Sequence, residues 1–206
     1  MIDIANEARR SLSVVVQAGG QSRRMGSNKA LMVFQGQPLI ERVVQRVAPI
    51  SAETLLTANS AELFAFLNKR IEQDILPGLG ALGGLYTALQ GVQTPYAAVV
   101  ACDMPFIRTD VLLRQFQLLV ESGSDCVIPE TEHGLEPMHG VYRVSTCASL
   151  VKAALKRGEM QMRSWYKDAH MLIIPLADLR QIDPKLESFI NVNTLEEFHQ
   201  AEKHQK

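Results

Sequence analysis

The sequence predicts an α/β fold: three layers, α/β/α, around a mainly parallel, Rossmann-like central sheet. Apolar runs alternate with helical patterns along most of the chain, which is typical of parallel sheets with crossover helices. The first run, Leu12–Gln17, centres on three consecutive valines, as in a strand covered on both faces. We expect one domain over residues 1–206, with polar, loosely held ends at residues 1–11 and about 202–206.

The first half of the chain alternates strand and helix after this run. Pro38 pre-sets the backbone for a helix whose apolar stripe is Leu39, Ile40, Val43, Val44 and Val47. Helical spacing of Leu63, Phe64 and Leu67 predicts a second helix with these three side chains inward. The elements predicted here are strands at Thr54–Ala58 and Ile71–Leu76 and helices at Ala61–Lys69 and Leu82–Gln90.

The second half continues the alternation. Thr109 is a helix cap, Gly158 stops a helix, and Thr194 with Glu197 forms a capping box for the last helix. The predicted strands are Tyr96–Cys102, Asp125–Pro129, Pro137–Tyr142, His170–Pro175 and Phe189–Val192, and the predicted helices run from Thr109 to about Glu121 and over Ser145–Arg157.

Composition excludes several classes of function. The formal net charge of -1 provides no general attraction for nucleic acid or a membrane surface. Cys102, Cys126 and Cys147 lie far apart without metal-ligand spacing, which indicates reduced thiols. The first 12 residues lack the apolar core of a signal peptide, and no apolar run is long enough to span a bilayer. We therefore expect a cytoplasmic protein.

A loop rich in glycine and cations follows the first strand. Gly19 and Gly20 allow backbone N–H groups to turn toward an anion, and Arg23, Arg24 and Lys29 add positive charge. A nucleoside triphosphate fits this arrangement, although the spacing is not that of a Walker A loop. From composition alone, a solvated basic turn is equally compatible.

A carboxylate follows another predicted strand. Asp103 ends the small apolar run AAVVACD, and ligands of such sheets bind beyond the carboxyl ends of the strands. A hard oxygen there suits Mg²⁺, whose shell substrate phosphates complete. The alternative is an aspartate that merely caps the following turn.

The stretch QAGGQSRRMGSNKAL is similar to the signature loop LAGGxSxRMGxxK of the sugar-nucleotidyltransferase-like family. With DILPGLGALGGLYTAL, CDMP and INVNTLEEF in that order, the chain most resembles the molybdenum cofactor guanylyltransferases from Ser13 to Phe198. Gln17 departs from the pattern, because the family usually carries leucine or another apolar residue there.

The resemblance implies a set of site residues. It implies GTP binding by residues within and beyond the loop, and contacts from Asp103 to both the nucleotide and Mg²⁺. Because two anions must meet in the implied reaction, charge neutralisation indicates Arg23, Arg24, Lys29 and Asp103 with its Mg²⁺ as the catalytic residues. Gln17 would contribute mainly backbone contacts to the base, and its side chain could add a hydrogen bond. The implied GTP-binding residues are Gln17, Ala18, Gly19, Gly20, Lys29, Asn59, Asp74 and Asp103.

The implied reaction is attack by the terminal phosphate of molybdenum-carrying molybdopterin on the α-phosphorus of GTP, with release of pyrophosphate. No nucleophile–base arrangement suggests a covalent intermediate. Implied partners are proteins that make the molybdenum cofactor and molybdoenzymes that receive it. CTP as donor, a sugar or isoprenoid phosphate as acceptor, and a non-catalytic nucleotide-binding module remain alternatives.

Gly78, Gly80 and Gly83 form a GxGxxG pattern that offers a competing interpretation. A dinucleotide site for NAD would place a carboxylate about 20 residues later, where Asp103 lies. Pro77 interrupts that turn, however, and the cationic loop would then have no role. We therefore interpret these glycines as a wall close to the nucleotide.

Further residues support only weak assignments. His139 could approach the second substrate but is more typical of a structural histidine. Arg163 and Lys167 could face an anionic pterin or simply lie in solvent. Asn191 and Asn193 flank the last predicted strand, and neither is assigned a catalytic role.

Overall fold

A computed structural model describes residues 3–18 and 29–203. Strands in these ranges form an extended central sheet, with one short strand paired to its second strand, and a separate two-stranded hairpin. The strands are β1 (Leu12–Gln17), β2 (Val33–Phe34), β3 (Gln37–Pro38), β4 (Glu53–Thr57), β5 (Ile71–Glu72), β6 (Tyr96–Ala101), β7 (Cys126–Thr131), β8 (Gly134–Leu135), β9 (His139–Arg143) and β10 (Met171–Ile174).

Helices of the described chain connect these strands and cover both faces of the sheet. The α-helices are α1 (Ile4–Ser11), α2 (Leu39–Val47), α3 (Gly80–Gly91), α4 (Thr109–Ser122), α5 (Val144–Lys156), α6 (Leu176–Ile182) and α7 (Leu195–Lys203). Short 3₁₀ helices lie at Lys29–Leu31, Ala48–Ile50, Ala61–Leu67, Met162–Asp168 and Glu187–Phe189.

The sheet is mainly parallel, as predicted. Its order is β10-β7-β9-β6-β1-β4-β5, with β8 paired to β7. β1 lies between β4 and β6 and runs parallel to both, with Val15 opposite Leu55 on one side and Val99 on the other. β9 is antiparallel to β6 and β7. The carboxyl ends of β1, β4 and β6 therefore meet at one edge of the sheet.

Side-chain alternation along β1 divides the core into two layers. Val14 and Val16 face one cluster, which includes apolar residues of α2 and α4. Val15 faces the other, which includes residues of α3 and α5. Each of these valines is completely buried, which explains why β1 is almost continuously apolar rather than alternating.

A third cluster fixes the end of the chain near the strand exits. The Phe34 ring lies 5.7 Å from that of Phe106 and 5.3 Å from that of Phe198 in edge-to-face geometry. Val192 joins the same cluster, fully buried. The segment before α7 is thereby held beside the loop that follows β6.

The amino-terminal segment differs from the expectation that residues 1–11 are loosely held. Residues 4–11 form α1, whose first turn is capped by the Asp3 carboxylate accepting from Asn6 N at 3.2 Å. Ala8 is fully buried in the core. Ile4 packs against the same cluster while only partly buried, so the two apolar side chains Ile4 and Ala8 dock this short helix. At the other end, α7 continues to Lys203, into the segment also expected to be loose.

Three predicted elements also need correction. β5 stops at Glu72, so Asp74 lies in the following loop and not within a strand. Residues 189–192 form no strand; Val192 N instead donates to Asp103 O at 3.1 Å. Ala61–Leu67 is a 3₁₀ helix, in which Phe64 is buried as predicted while Leu63 is 41% exposed. A threefold repeat turns Leu63 away from the face that a 3.6-residue period assigned to it.

Candidate active site

Lys29 lies at the strand exits and is almost completely buried, which is unusual for a lysine. It begins the 3₁₀ turn that leads into the β2–β3 hairpin, and it is 8% exposed. Its Nζ lies 2.6 Å from Asp103 Oδ2 and donates to Asn193 Oδ1 at 2.9 Å. A buried ammonium needs such partners because desolvation of the charge is costly.

Asp103 follows β6 at the same edge of the sheet. Cys102 N donates to Gln17 O at 3.1 Å, which ties the end of β6 to the end of β1. The two carboxylate oxygens of Asp103 differ in their hydrogen bonding. Oδ2 accepts from Lys29, while Oδ1 is buried without a hydrogen-bond partner among the described residues. A buried, unpartnered carboxylate oxygen is a group that can take a metal ion.

Asn193 reaches Lys29 because the start of α7 holds its backbone. Glu197 Oε2 accepts from the backbone N of Asn193 at 2.6 Å and of Thr194 at 3.0 Å. Thr194 Oγ1 in return accepts from Glu197 N at 3.1 Å. The predicted capping box is therefore confirmed. Asn193 had no catalytic role in the sequence prediction, and nothing in its local pattern indicated the contact with Lys29.

A pocket of about 620 Å³ opens beside these strand exits. Its described lining combines glycine backbone with a few polar side chains and one carboxylate. The lining residues are Gln17, Thr57, Ala58, Asn59, Asp74, Gly78, Gly80, Ala81, Gly84, Thr87 and Met138. The volume suits a nucleoside-sized ligand. Two glycines of the GxGxxG pattern thus lie on the pocket wall.

Asp74 is fixed at the pocket by its own loop and by α3. Its Oδ1 accepts from Thr87 Oγ1 at 3.0 Å and from Leu76 N at 3.1 Å. The Thr87 hydroxyl also accepts from Ile75 N at 3.1 Å. Thr87 is completely buried, so its hydroxyl does not contact solvent and instead positions the loop that carries Asp74. Sequence reasoning missed Thr87, because a threonine inside a helix carries no local signal for this task.

Gln17 is the last residue of β1, and its side chain lies on the face of the sheet that α3 covers. The side chain is 7% exposed, and its Nε2 has no partner among the described residues. Gly84 makes room for it, since a Cβ at that glycine would lie 3.1 Å from Gln17 Oε1. Ala18 follows, with its backbone N donating to Thr57 O at 2.9 Å.

The structure brings together the described members of the predicted site in two groups. Lys29 and Asp103 meet directly, whereas Gln17, Asn59 and Asp74 line the pocket. Gly19, Gly20, Arg23 and Arg24 lie outside the described residues. Their predicted roles therefore stay predictions.

Residues that were only weakly assigned lie in structural roles. His139 is completely buried, with Nδ1 3.3 Å from Gln115 Oε1 and its ring 4.7 Å from that of Phe189. Burial lowers the pKa of His139 to about 4, so the ring is neutral near pH 7. Lys167 donates to Glu159 at 2.9 Å, and Arg163 to Gln161 at 3.4 Å.

Cys102 is the thiol nearest to the site, and its chemistry does not favour nucleophilic attack. Desolvation, with the neighbouring Asp103 charge, raises the pKa of Cys102 to about 12. The thiol is therefore protonated near neutral pH, and protonated thiols are poor nucleophiles. This agrees with the predicted direct transfer.

Metal binding at this edge would depend on the substrate as well as the protein. Residues 3–18 and 29–203 contain no cluster of three or more histidine, cysteine, aspartate or glutamate side chains that could hold an ion. Asp103 Oδ1 is a hard oxygen that would suit a divalent ion, and phosphate oxygens of the substrate and water would have to complete its shell. None of the described helices has the length and apolar character needed to cross a membrane.

Comparison with known proteins places this site in context. Residues 14–172 match the MobA-like NTP transferase domain. The molybdenum cofactor guanylyltransferase of Desulfosudis oleivorans is 32% identical, with 91% of this chain and 93% of that protein covered. The probable molybdenum cofactor guanylyltransferase of Chloroflexus aggregans is 35% identical, with 89% of each chain covered.

Solved structures agree with this placement. The molybdopterin-guanine dinucleotide biosynthesis protein A from Archaeoglobus fulgidus is 27% identical, with a TM-score of 0.81 and coverage of 92% of this chain and 96% of that one. A 4-diphosphocytidyl-2C-methyl-D-erythritol synthase from Anaerococcus prevotii has a TM-score of 0.71 at 10% identity over 94% and 97% of the two chains, which shows a shared fold alone.

The fold and the matched domain are those of a nucleotidyltransferase. Within that class, the chain belongs to the MobA-like NTP transferase family, in the branch of the molybdenum cofactor guanylyltransferases. The resemblance noted from the sequence is thereby confirmed. Enzymes of this family generally need a divalent metal.

Proposed function

We propose that this protein transfers GMP from GTP to molybdopterin carrying molybdenum, which forms molybdopterin guanine dinucleotide and releases pyrophosphate. The observation that carries the proposal is the Lys29–Asp103 pair at the strand exits, beside a pocket of nucleoside size. A cation and a carboxylate so placed can hold the phosphates while the pocket holds the nucleoside.

The chemistry requires two anions to approach each other. A phosphate monoester is already anionic near neutral pH, so it can attack the α-phosphorus without a general base. Lys29 offsets charge on the phosphates, and Asn193 keeps its ammonium pointed at the site. Arg23 and Arg24, from the loop, are the proposed additional cations. The Pα–O bond to the acceptor forms as the bond to pyrophosphate breaks.

Mg²⁺ is the divalent metal we propose, and Asp103 Oδ1 is the protein oxygen that would hold it. When bound, the ion neutralises phosphate charge and orients the leaving group. Asp103 keeps its other oxygen on Lys29, so one side chain would join the cation and the metal. Such an arrangement would account for a carboxylate with one paired oxygen and one oxygen that has no partner among the described residues.

The pocket beside the pair is the proposed site for the guanosine part of GTP. Asn59, Asp74 and the end of β1 offer amide, carboxylate and backbone groups that can hydrogen-bond to a base or to ribose hydroxyls. Thr87 holds Asp74 in place. The glycines of α3 and its preceding loop let a flat ligand approach the wall closely.

Calorimetric titration with GTP, CTP, ATP, UTP and NAD, each with Mg²⁺, tests the nucleotide half. GTP should bind selectively, and Lys29→Ala should abolish that binding, whereas Lys167→Ala should leave it unchanged. Selective binding of CTP would change the product to the cytosine dinucleotide. Binding of NAD without any triphosphate would overturn the assignment.

Turnover tests the acceptor half. With GTP, Mg²⁺ and molybdenum-loaded molybdopterin, pyrophosphate release and the dinucleotide should appear in equal amounts. Nucleotide binding without pyrophosphate release would point to a binding module. Release only with a sugar or isoprenoid phosphate would keep the reaction class and reject the acceptor.

A further inference from the structure

Gln17 introduces a polar side chain where the family pattern has an apolar one. It is the last residue of β1, opposite Thr57 on β4 and Ala101 on β6. Strand alternation turns it toward α3, onto the wall of the 620 Å³ pocket. It is 7% exposed, which is unusual for a glutamine.

The amide of Gln17 is set into the wall rather than lying loosely on it. Gly84 faces it, and a Cβ at that position would come within 3.1 Å of Oε1 and 3.5 Å of Nε2. A larger residue at position 84 would displace the amide. The side chain is therefore confined between the end of β1 and α3.

Its amide nitrogen has no partner in the described part of the chain. A buried N–H donor left unpaired loses its hydrogen bonds to water without replacement, which is unfavourable. Asp74 Oδ1, which belongs to the same pocket lining, already accepts from Thr87 and Leu76. An acceptor on a bound ligand would relieve this cost, so the pocket favours a ligand that presents one.

We propose that the Gln17 side chain adds to base specificity in this chain, with Nε2 donating a hydrogen bond to O6 of guanine; the inference rests on the proposed function. Asp74 is the one charged side chain among the described lining residues, so the pocket suits a neutral base better than phosphates. Guanine presents O6 as an acceptor where adenine presents the N6 amino donor. A donor at this point therefore admits guanine and opposes adenine.

The test combines a side-chain deletion with deletion of the acceptor from the ligand. Binding of GTP and of 2-aminopurine riboside triphosphate, which lacks O6, is measured calorimetrically for the wild type and Gln17→Leu. Leucine is the residue type usual in the family, so the variant should fold. Gln17→Leu should weaken GTP binding about tenfold and leave binding of the analogue unchanged.

Gln17→Glu provides a second variant of almost the same size. Its carboxylate cannot donate when ionised and would repel O6, so GTP binding should weaken more than tenfold while the analogue is less affected. Gln181→Met, an exposed glutamine change on α6, should affect neither ligand.

The outcomes separate this inference from the proposed function. The role of Gln17 would be overturned if Gln17→Leu weakened binding of GTP and of the analogue equally, or if neither Gln17→Leu nor Gln17→Glu weakened GTP binding. The guanylyltransferase assignment would still stand in either case. A gain in ATP binding relative to GTP in Gln17→Leu would support it. Failure of the wild type to bind any triphosphate would instead remove the proposed function itself.

Discussion

Lys29 Nζ and Asp103 Oδ2 lie 2.6 Å apart, although 74 positions separate the two residues in the sequence. The pair joins the loop after β1 to the exit of β6, which are neighbouring parallel strands. The Lys29 side chain is 10% exposed and the Asp103 side chain is 18% exposed. Each charge therefore depends on the other, and each faces the region proposed for the phosphates.

Removal of either charge should reduce turnover by at least about 100-fold, because the lost group stabilises charge in the transition state. Lys29→Met and Asp103→Asn should each also destabilise the fold by about 1–2 kcal/mol, less than for a fully buried pair. Pyrophosphate release and urea unfolding measure the two effects.

The double variant of this pair separates stability from catalysis. With both charges gone, Lys29→Met/Asp103→Asn should be more stable than either single variant yet equally inactive. Lys167→Met, which breaks an exposed ion pair with Glu159, should change neither property much. Single variants that retain full turnover would contradict the assigned role of the pair.

Glu197 should influence turnover without touching substrate. Its carboxylate holds the backbone of Asn193 at 2.6 Å, and Asn193 holds the Lys29 ammonium. Glu197→Ala should cost about 1 kcal/mol of stability through the lost cap and lower kcat severalfold, with KM for GTP changed less.

Glu196→Ala is the matched control for this variant, because Glu196 is the neighbour of Glu197 in the same helical turn. Within the described chain its carboxylate accepts only from Gln200. Steady-state kinetics of both variants decide the question. An equal fall in kcat in the two would mean that α7 as a whole, and not the Asn193 contact, supports the site.

Thr87→Val should loosen the loop that carries Asp74. Valine keeps the shape but removes the hydroxyl that donates to Asp74 Oδ1 and accepts from Ile75 N. We expect GTP binding to weaken about fivefold and unfolding free energy to fall by about 1–2 kcal/mol. Calorimetry and denaturant titration measure these changes.

Thr146→Val is a suitable comparison, because its hydroxyl bonds the backbone of Arg143, outside the pocket lining. It should leave GTP binding unchanged. If Thr87→Val binds GTP as tightly as the wild type does, Asp74 either needs no support or does not contact the nucleotide.

The architecture could largely be predicted from the sequence, because local patterns encode it. β1 was predicted at its exact bounds, since a strand buried on both faces is apolar throughout. Asp103 was predicted at a strand exit, because one rule relates strand ends to ligand sites. The helix α1 was missed because one buried alanine, Ala8, carries too weak a signal.

The contacts within the site could not be predicted in the same way. The bond from Lys29 to Asn193 joins positions 164 residues apart, and no local pattern indicates it. Thr87 resembles any helical threonine until α3 lies against the Asp74 loop. Such pairings depend on tertiary packing, which neither spacing nor composition contains.

The stability of the fold should fall in mild acid because of His139. Its pKa is about 4 when folded, against a value of 6.5 for an unperturbed histidine. As pH falls through 6.5, the unfolded chain gains a proton that the folded one refuses, so His139 favours unfolding progressively until pH reaches about 4. The full loss is about 3 kcal/mol, the free-energy equivalent of the pKa difference.

Urea unfolding between pH 7 and 4 measures this dependence. His139→Gln should lose the part of the pH dependence that His139 provides, whereas His199→Gln, at an exposed histidine on α7, should keep it. The Asp183 charge opposes the depression of the His139 pKa, so Asp183→Asn should steepen the acid loss. If His139→Gln and the wild type lose stability in parallel from pH 6.5 to 4, then carboxylate protonation, and not His139, governs acid unfolding.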